Sequence, residues 1–152
     1  METIITFLAS FLIWILFAGL FVLWVVDGKI KKEQVLHALF SLILAWAVAE
    51  IIKALFPTTR PFVTNGEFPL TLTVPGGASF PSGHTAAAFG LAVSIWLHDK
   101  KVGLFYILGA VLIGVARILS NVHYPVDIIG GAIIGSLTAA VIEKFHPKTI
   151  DF

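Results

Sequence analysis

Long apolar runs separated by short polar segments dominate the pattern of this 152-residue chain. A helix of about 20 mostly apolar residues is long enough to cross a bilayer. The pattern therefore predicts an all-α integral membrane bundle of about five transmembrane helices, with the third and fourth the shortest. The chain shows no repeat and no linker, so residues 1–152 are predicted to form a single domain. The apolar runs cover residues 4–26, 34–56, 82–98, 102–119 and 127–145.

The segment between the second and third runs, residues 57–80, breaks this pattern with four prolines and three glycines. Proline interrupts a helix, and irregular backbone is not tolerated in contact with lipid tails. We therefore expect this segment to lie in water or at the membrane interface. Its position makes it a candidate lid or substrate-entry loop.

The composition supports the membrane class, because apolar residues make up 58% of the chain and charged residues only 12%. A soluble domain could not cover its surface with so few charges. The net charge of +1, without a basic face, gives no indication of nucleic-acid binding. The absence of cysteine excludes disulfides, thiolate zinc sites and cysteine nucleophiles. The start Met1-Glu2-Thr3 carries no positive charge, so the first run is predicted to be a retained helix and not a cleaved signal peptide.

The distribution of lysine and arginine predicts how the bundle is oriented. Five spans would sort these residues into seven on one side of the membrane and three on the other. The positive-inside rule places the larger set, and with it the C-terminus, in the cytoplasm of a cell-membrane protein. The smaller set would then face the extracytoplasmic side. The larger set is Lys29, Lys31, Lys32, Lys100, Lys101, Lys144 and Lys148, and the smaller is Lys53, Arg60 and Arg117.

Every residue of the smaller set belongs to one of three polar motifs at the predicted outer ends of the helices. The motifs are Lys53-x6-Arg60-Pro61, Pro81-Ser82-Gly83-His84 and Arg117-x5-His123-x3-Asp127. Their three cations suit the equatorial oxygens of a phosphoryl group, and arginine can bind two oxygens at once. Lysine and arginine also extend from helix ends to reach water, and Glu50 could form an ordinary helix-surface ion pair with Lys53.

The second motif has the features of a helix start, with proline in the first turn and Ser82 as a cap. Those features alone do not explain His84. The free N–H groups at a helix N-terminus also bind anions, and Gly83 would let the backbone approach a phosphate. His84 would then be placed to give a proton to a leaving oxygen.

The third motif places His123 four residues before Asp127. A carboxylate on one imidazole nitrogen fixes the tautomer and leaves the other nitrogen free to attack phosphorus. An interfacial histidine followed by an acidic helix start would give the same spacing. A metal site is a further use of two histidines and an aspartate, but the neighbouring cations argue against it. His37 and His98 are interpreted as interfacial residues without a ligand role.

Taken together, the three motifs resemble those of the type 2 phosphatidic acid phosphatase (PAP2) superfamily, in the same order and with the same internal spacing. The resemblance implies hydrolysis of phosphate esters or anhydrides through a phosphohistidine, without metal or other cofactor. It also implies that His123 is the nucleophile, Asp127 its partner and His84 the general acid. The implied phosphate-binding residues are Lys53, Arg60, Ser82, Gly83 and Arg117.

Two features depart from the family pattern. Ala116 stands where a serine usually precedes the motif arginine, and five helices are predicted where membrane members commonly have six. The length and residues 116–131 look most like the small bacterial undecaprenyl-diphosphate phosphatases, which act on the outer face. Other bacterial relatives act on phosphatidylglycerophosphate, phosphatidate or the 1-phosphate of lipid A, and the motifs do not separate these substrates.

Three other classes of function compete with a membrane lipid phosphatase. A protein that only binds lipid phosphates would not require a nucleophile held by Asp127. A transporter would be expected to carry polar residues through the depth of the bilayer, and the helix centres have almost none. A vanadate-dependent haloperoxidase shares a phosphate-type pocket, but those relatives are soluble. The sequence does not specify an oligomeric state.

Overall fold

The computed structural model describes residues 1–27 and 32–145. These residues form six α-helices and no strand, which confirms the all-α prediction. Lys29, Lys31, His146 and Lys148 lie outside the described residues. The helices are α1 (Glu2–Val22), α2 (Lys32–Leu55), α3 (Pro61–Asn65), α4 (Gly83–His98), α5 (Lys100–Leu119) and α6 (Pro125–Phe145), with one π-helical turn at Leu23–Asp27.

Four of the five predicted spans are long and apolar enough to cross a membrane. They are Glu2–Val25, Lys32–Leu55, Lys100–Leu119 and Pro125–Phe145. The exception is α4, whose 16 residues extend over only about 24 Å. This helix is the centre of the bundle, where it packs against α2, α5 and α6. The chain is thus a multi-pass membrane protein. Its 16-residue α4 lies inside the bundle that the longer helices form.

Small residues allow the neighbouring helices to approach α4 closely. A Cβ atom on Gly131 would lie 2.6 Å from the carbonyl oxygen of Ser82, and one on Gly135 would lie 2.3 Å from that of Ala86. Towards α2, a Cβ atom on Gly90 would lie 2.7 Å from the carbonyl oxygen of Ser41. The Gly131-x3-Gly135 pair therefore acts as a close-packing motif between α6 and α4.

The first helix lies at the edge of the bundle and packs mainly on α5. Only Ala9 and Leu20 of α1 are buried, while Phe7, Trp14 and Phe21 are exposed. A helix that is apolar all round and largely unburied fits a lipid environment.

The connections bring the functional segments to one end of the bundle. Asp99 alone separates α4 from α5, and its carboxylate caps α5 by accepting from the N–H groups of Lys101 and Val102. At the other end of α4 lie residues 56–82, which include α3, and the turn of residues 120–124. We call this the long-loop end of the bundle. The C-termini of α2 and α5 and the N-termini of α4 and α6 all reach it.

Candidate active site

The turn between α5 and α6 places His123 against Asp127 in the first turn of α6. The Nδ1 atom of His123 lies 3.3 Å from Oδ2 of Asp127. The same oxygen accepts a 2.8 Å hydrogen bond from the backbone N–H of Tyr124 and a 2.5 Å bond from the Ser79 hydroxyl. Both His123 and Asp127 are almost completely buried. Three donors on one oxygen hold the carboxylate in a single orientation.

Arg60 faces the other nitrogen of the His123 ring. Its Nη1 atom lies 3.3 Å from Nε2 of His123 and donates to the carbonyl oxygen of Val122 at 3.0 Å. A guanidinium group can only donate hydrogen bonds, so Nε2 must present its lone pair and Nδ1 must carry the proton towards Asp127. This is the tautomer in which Nε2 can act as a nucleophile.

The environment of His123 keeps its ring neutral. Burial lowers the pKa of His123 to about 4, helped by the positive charges of Arg117 and Arg60, although the hydrogen bond to Asp127 raises it. The imidazole therefore has a free lone pair at neutral pH. Burial also lowers the pKa of Arg60, although the negative charges of Asp127 and Glu50 raise it. The guanidinium group nevertheless stays charged at neutral pH.

The loop of residues 57–80 holds Arg60 in place. The Nε atom of Arg60 donates to the carbonyl oxygen of Gly77 at 3.1 Å, and Nη2 donates to that of Gly76 at 3.0 Å. The loop is fastened elsewhere as well, since the N–H of Leu70 donates to the Ser120 carbonyl oxygen at 2.9 Å. The predicted entry loop therefore forms part of the wall of the site.

The start of α4 contributes Ser82 and His84. The Ser82 hydroxyl caps the helix by accepting from the N–H of Thr85 at 3.4 Å and from its hydroxyl at 3.0 Å. The N–H of Ser82 donates to the Asp127 carbonyl oxygen at 3.0 Å, which ties the starts of α4 and α6 together. His84 lies within electrostatic range of Arg117, Lys53 and Arg60, and it also lies near His123. The histidines predicted for acid and nucleophile therefore share one site.

Gly83 lies against side chains of α2. A Cβ atom there would lie 2.9 Å from Oε1 of Glu50 and 3.2 Å from Nζ of Lys53. Lys53 reaches the site in a 2.6 Å ion pair with Glu50, the helix-surface pair that the spacing allowed. The sequence suggested that Gly83 lets the backbone approach a phosphate; in the structure, the ends of the Glu50 and Lys53 side chains lie beside it.

Arg117 is a buried cation with an unused donor. Its Nη1 atom donates to the carbonyl oxygen of Ala9 in α1 at 3.2 Å. Its Nε atom is buried and, among the described residues, has no hydrogen-bond partner. Leaving such a donor unpaired costs about 1–3 kcal/mol or more for a charged group. An anion bound beside Arg117 would remove that cost. Ala116, which departs from the family motif, is itself buried.

An apolar cleft of about 380 Å³ adjoins this polar cluster. Side chains of α1, α2 and α4 line it, and His84 is the only titratable group among them. Its apolar lining suits a hydrocarbon chain and not a sugar or a peptide. The lining residues are Ile13, Trp14, Phe17, Leu42, Trp46, Gly83, His84 and Ala87.

The structure thus brings all eight residues predicted for the site to the long-loop end of the bundle. The sequence reasoning missed Ser79, which is fully buried and bonds directly to Asp127. No motif marks Ser79; its only signal is its position two residues before Pro81. It also missed the apolar cleft, because Trp14 and Trp46 lie within apolar runs whose only evident signal is membrane insertion.

Comparisons with known proteins bear on the family and the fold of the chain. A family profile described as the PAP2 superfamily matches residues 34–151. The chain is 30% identical to the bacitracin transport permease protein BcrC of Bacillus licheniformis over 97% of its own length and 73% of the relative's. It is 25% identical to the undecaprenyl-diphosphatase BcrC of Bacillus subtilis over 95% of its own length and 75% of the relative's. The crystal structure of Aquifex aeolicus LpxE superposes with a TM-score of 0.75 at 30% identity, covering 95% of this chain and 84% of that one. Family profile, sequence relatives and fold agree, and the chain belongs to the PAP2 superfamily.

Proposed function

We propose that this membrane protein is a lipid phosphatase that converts undecaprenyl diphosphate to undecaprenyl phosphate and inorganic phosphate. The observation that carries this proposal is the position of His84, which belongs both to the apolar cleft and to the cluster of cations. On one side of His84 lies the apolar cleft between α1, α2 and α4, and on the other lie the buried cations and His123. A molecule that fits both has a long hydrocarbon chain and a phosphate end.

In the proposed reaction, Nε2 of His123 attacks the terminal phosphorus. A nitrogen–phosphorus bond forms, and the bond from phosphorus to the bridging oxygen breaks. His84, which must be protonated when the anionic substrate is bound, gives that proton to the oxygen, which leaves as part of the lipid monophosphate. Water then attacks the phosphohistidine, His84 takes a proton from the water, and phosphate is released with the nitrogen of His123 restored. Asp127 keeps the ring oriented and stabilises its positive charge.

The cations have a proposed role in stabilising the transferring phosphoryl group. Arg60 now donates to Nε2 of His123, so an entering phosphate oxygen can take over that donor as the lone pair turns to phosphorus. Arg117 offers its unpaired Nε–H, and Lys53 lies beside Gly83. The free N–H groups at the start of α4, including that of Gly83, and the Ser82 hydroxyl complete the cradle. Preorganised donors of this kind supply most of the catalysis in phosphoryl transfer.

The choice of undecaprenyl diphosphate rests on similarity, because the phosphate-binding groups read only the phosphate. One relative bears the name undecaprenyl-diphosphatase. The extracytoplasmic location of the site rests on the positive-inside rule, under which the lysine-rich opposite end of the bundle would face the cytoplasm. Phosphatidylglycerophosphate, phosphatidate and lipid A 1-phosphate are the competing substrates. A protein that only binds lipid phosphates is the non-enzymatic alternative.

The first prediction concerns His123 and the substrate. Purified protein in detergent should release phosphate from undecaprenyl diphosphate with a higher kcat/KM than from the three competing lipids. His123→Asn should lower kcat by at least about a thousandfold, because it removes the nucleophile. Tyr124→Phe is the matched control, since it keeps the backbone N–H to Asp127 and loses only a hydroxyl bonded to Thr64. Folded protein that releases no phosphate from any of the four lipids would favour the binding-only alternative.

The second prediction concerns Ser79. Ser79→Ala should lower kcat by about 10- to 100-fold with little change in KM, because Asp127 loses a hydrogen bond worth about 1.5–3 kcal/mol and holds His123 less firmly. Thr71→Ala is the control in the same loop, because that hydroxyl bonds only to the carbonyl oxygen of Thr73. An effect of Ser79→Ala on KM alone, or no effect at all, would contradict a positioning role.

The third prediction concerns the apolar cleft. Trp46→Ala should raise KM for undecaprenyl diphosphate by about tenfold through lost apolar contact, and should leave turnover of a small soluble phosphate ester nearly unchanged. Trp24→Ala removes an indole outside the cleft and should change neither. Equal losses on the lipid and the soluble ester would show that Trp46 supports the fold and not the lipid chain.

A further inference from the structure

The end of the bundle opposite the long loop holds a second cluster of titratable groups. Three helices each contribute one member: His37 from α2, His98 from the end of α4 and Glu143 from the last turn of α6. Their nearest nitrogen and oxygen atoms all lie within 4.8 Å of one another. This cluster could not be predicted from the sequence, because the three residues are far apart along the chain and meet only when the helices pack.

The orientation of the His98 ring is fixed by the backbone. Its Nδ1 atom lies 2.8 Å from the carbonyl oxygen of Ser94, one turn earlier in α4. A carbonyl oxygen only accepts, so Nδ1 carries the proton and Nε2 of the neutral ring presents its lone pair. That nitrogen lies 3.3 Å from Oε2 of Glu143. The same carbonyl-to-ring contact orients histidine ligands in metal sites.

With a neutral His98 ring, the lone pair on Nε2 of His98 faces a lone pair on Oε2 of Glu143. A positive charge between these two atoms would remove their repulsion. Nδ1 of His37 lies 3.8 Å from the same Oε2 atom. That oxygen is buried, and no described residue donates a hydrogen bond to it. A proton on His98 would satisfy one nitrogen and the oxygen. A metal ion would satisfy all three atoms.

We propose that His37, His98 and Glu143 bind one Zn²⁺ ion. Bonds of about 2.0–2.2 Å to nitrogen and oxygen in a tetrahedron place ligand atoms about 3.3–3.5 Å apart. The 3.3 Å and 3.8 Å separations are close to that edge. Two imidazoles and one carboxylate are a ligand set that zinc accepts, with water in the fourth position. The Glu143 side chain is 38% exposed, so water can reach the cluster.

The proposed ion would join the helices that carry the candidate active site. Lys53 lies near the end of α2, Ser82 and His84 at the start of α4, and Asp127 at the start of α6. A metal bonded to the other ends of the same three helices would stabilise the bundle by the free energy of binding. The site is separate from the phosphate chemistry and does not depend on the proposed substrate.

The experiment uses the full chain in detergent, stripped of metal with a chelator and then titrated with ZnCl₂. Wild type should bind one equivalent at the cluster and gain thermal stability. Glu143→Gln and His98→Ala should each bind Zn²⁺ at least about tenfold more weakly and lose the stability gain. His84→Asn alters a histidine at the opposite end and should bind as wild type does. Wild type without zinc binding, or the two cluster variants binding as tightly as wild type, would overturn the proposal.

X-ray absorption at the zinc edge of the wild type provides a test that needs no variant. One equivalent of Zn²⁺ should show four nitrogen or oxygen ligands at about 2.0–2.2 Å, with the scattering pattern of two imidazole rings. A shell of oxygens without imidazole scattering would refute the cluster as the binding site.

Discussion

The close contact between α4 and α6 is the constraint on which the rest of the site depends. The two helices approach so closely at Gly131 and Gly135 that no side chain fits between them. A Cβ atom at either glycine would collide with the carbonyl oxygen of Ser82 or Ala86. The contact aligns the N-termini of both helices at one level, joined by the bond from the Ser82 N–H to the Asp127 carbonyl oxygen. The proposed acid on α4 and the carboxylate on α6 are therefore placed by backbone packing, which does not depend on flexible side chains.

A buried carboxylate then organises the charges around it. Asp127 accepts three hydrogen bonds on one oxygen, and the histidine it orients is kept neutral by burial and by neighbouring arginines. Several cations in a poorly hydrated site repel one another, and here only Lys53 has a carboxylate partner at ion-pair distance among the described residues. An anion would relieve that repulsion and pair the free donor of Arg117. The cations are thus held in place before an anion binds, as the proposed phosphate site requires.

The helices and the three motifs could be predicted because their signals are local. Apolar runs indicate helices by length alone, and alternation across the membrane brings Lys53, His84 and Asp127 to one end. What the sequence could not show are contacts made between distant segments. Ser79 reaches Asp127 through the fold of an irregular loop, and Glu143 meets His37 and His98 only in the packed bundle. The helix α4 was predicted, but its position at the centre of the bundle was not. That position follows from its packing against α2, α5 and α6 and not from its length.

The most direct test of the central claim is to trap the covalent intermediate. The account predicts that rapid quenching during turnover of undecaprenyl diphosphate labelled in its terminal phosphate gives a labelled protein, with an acid-labile phosphate on His123. The label should appear and decay at rates that match phosphate release, because the phosphohistidine lies on the reaction path. Labelling of another residue, or turnover by direct attack of water with no labelled protein at any time, would contradict the role assigned to His123.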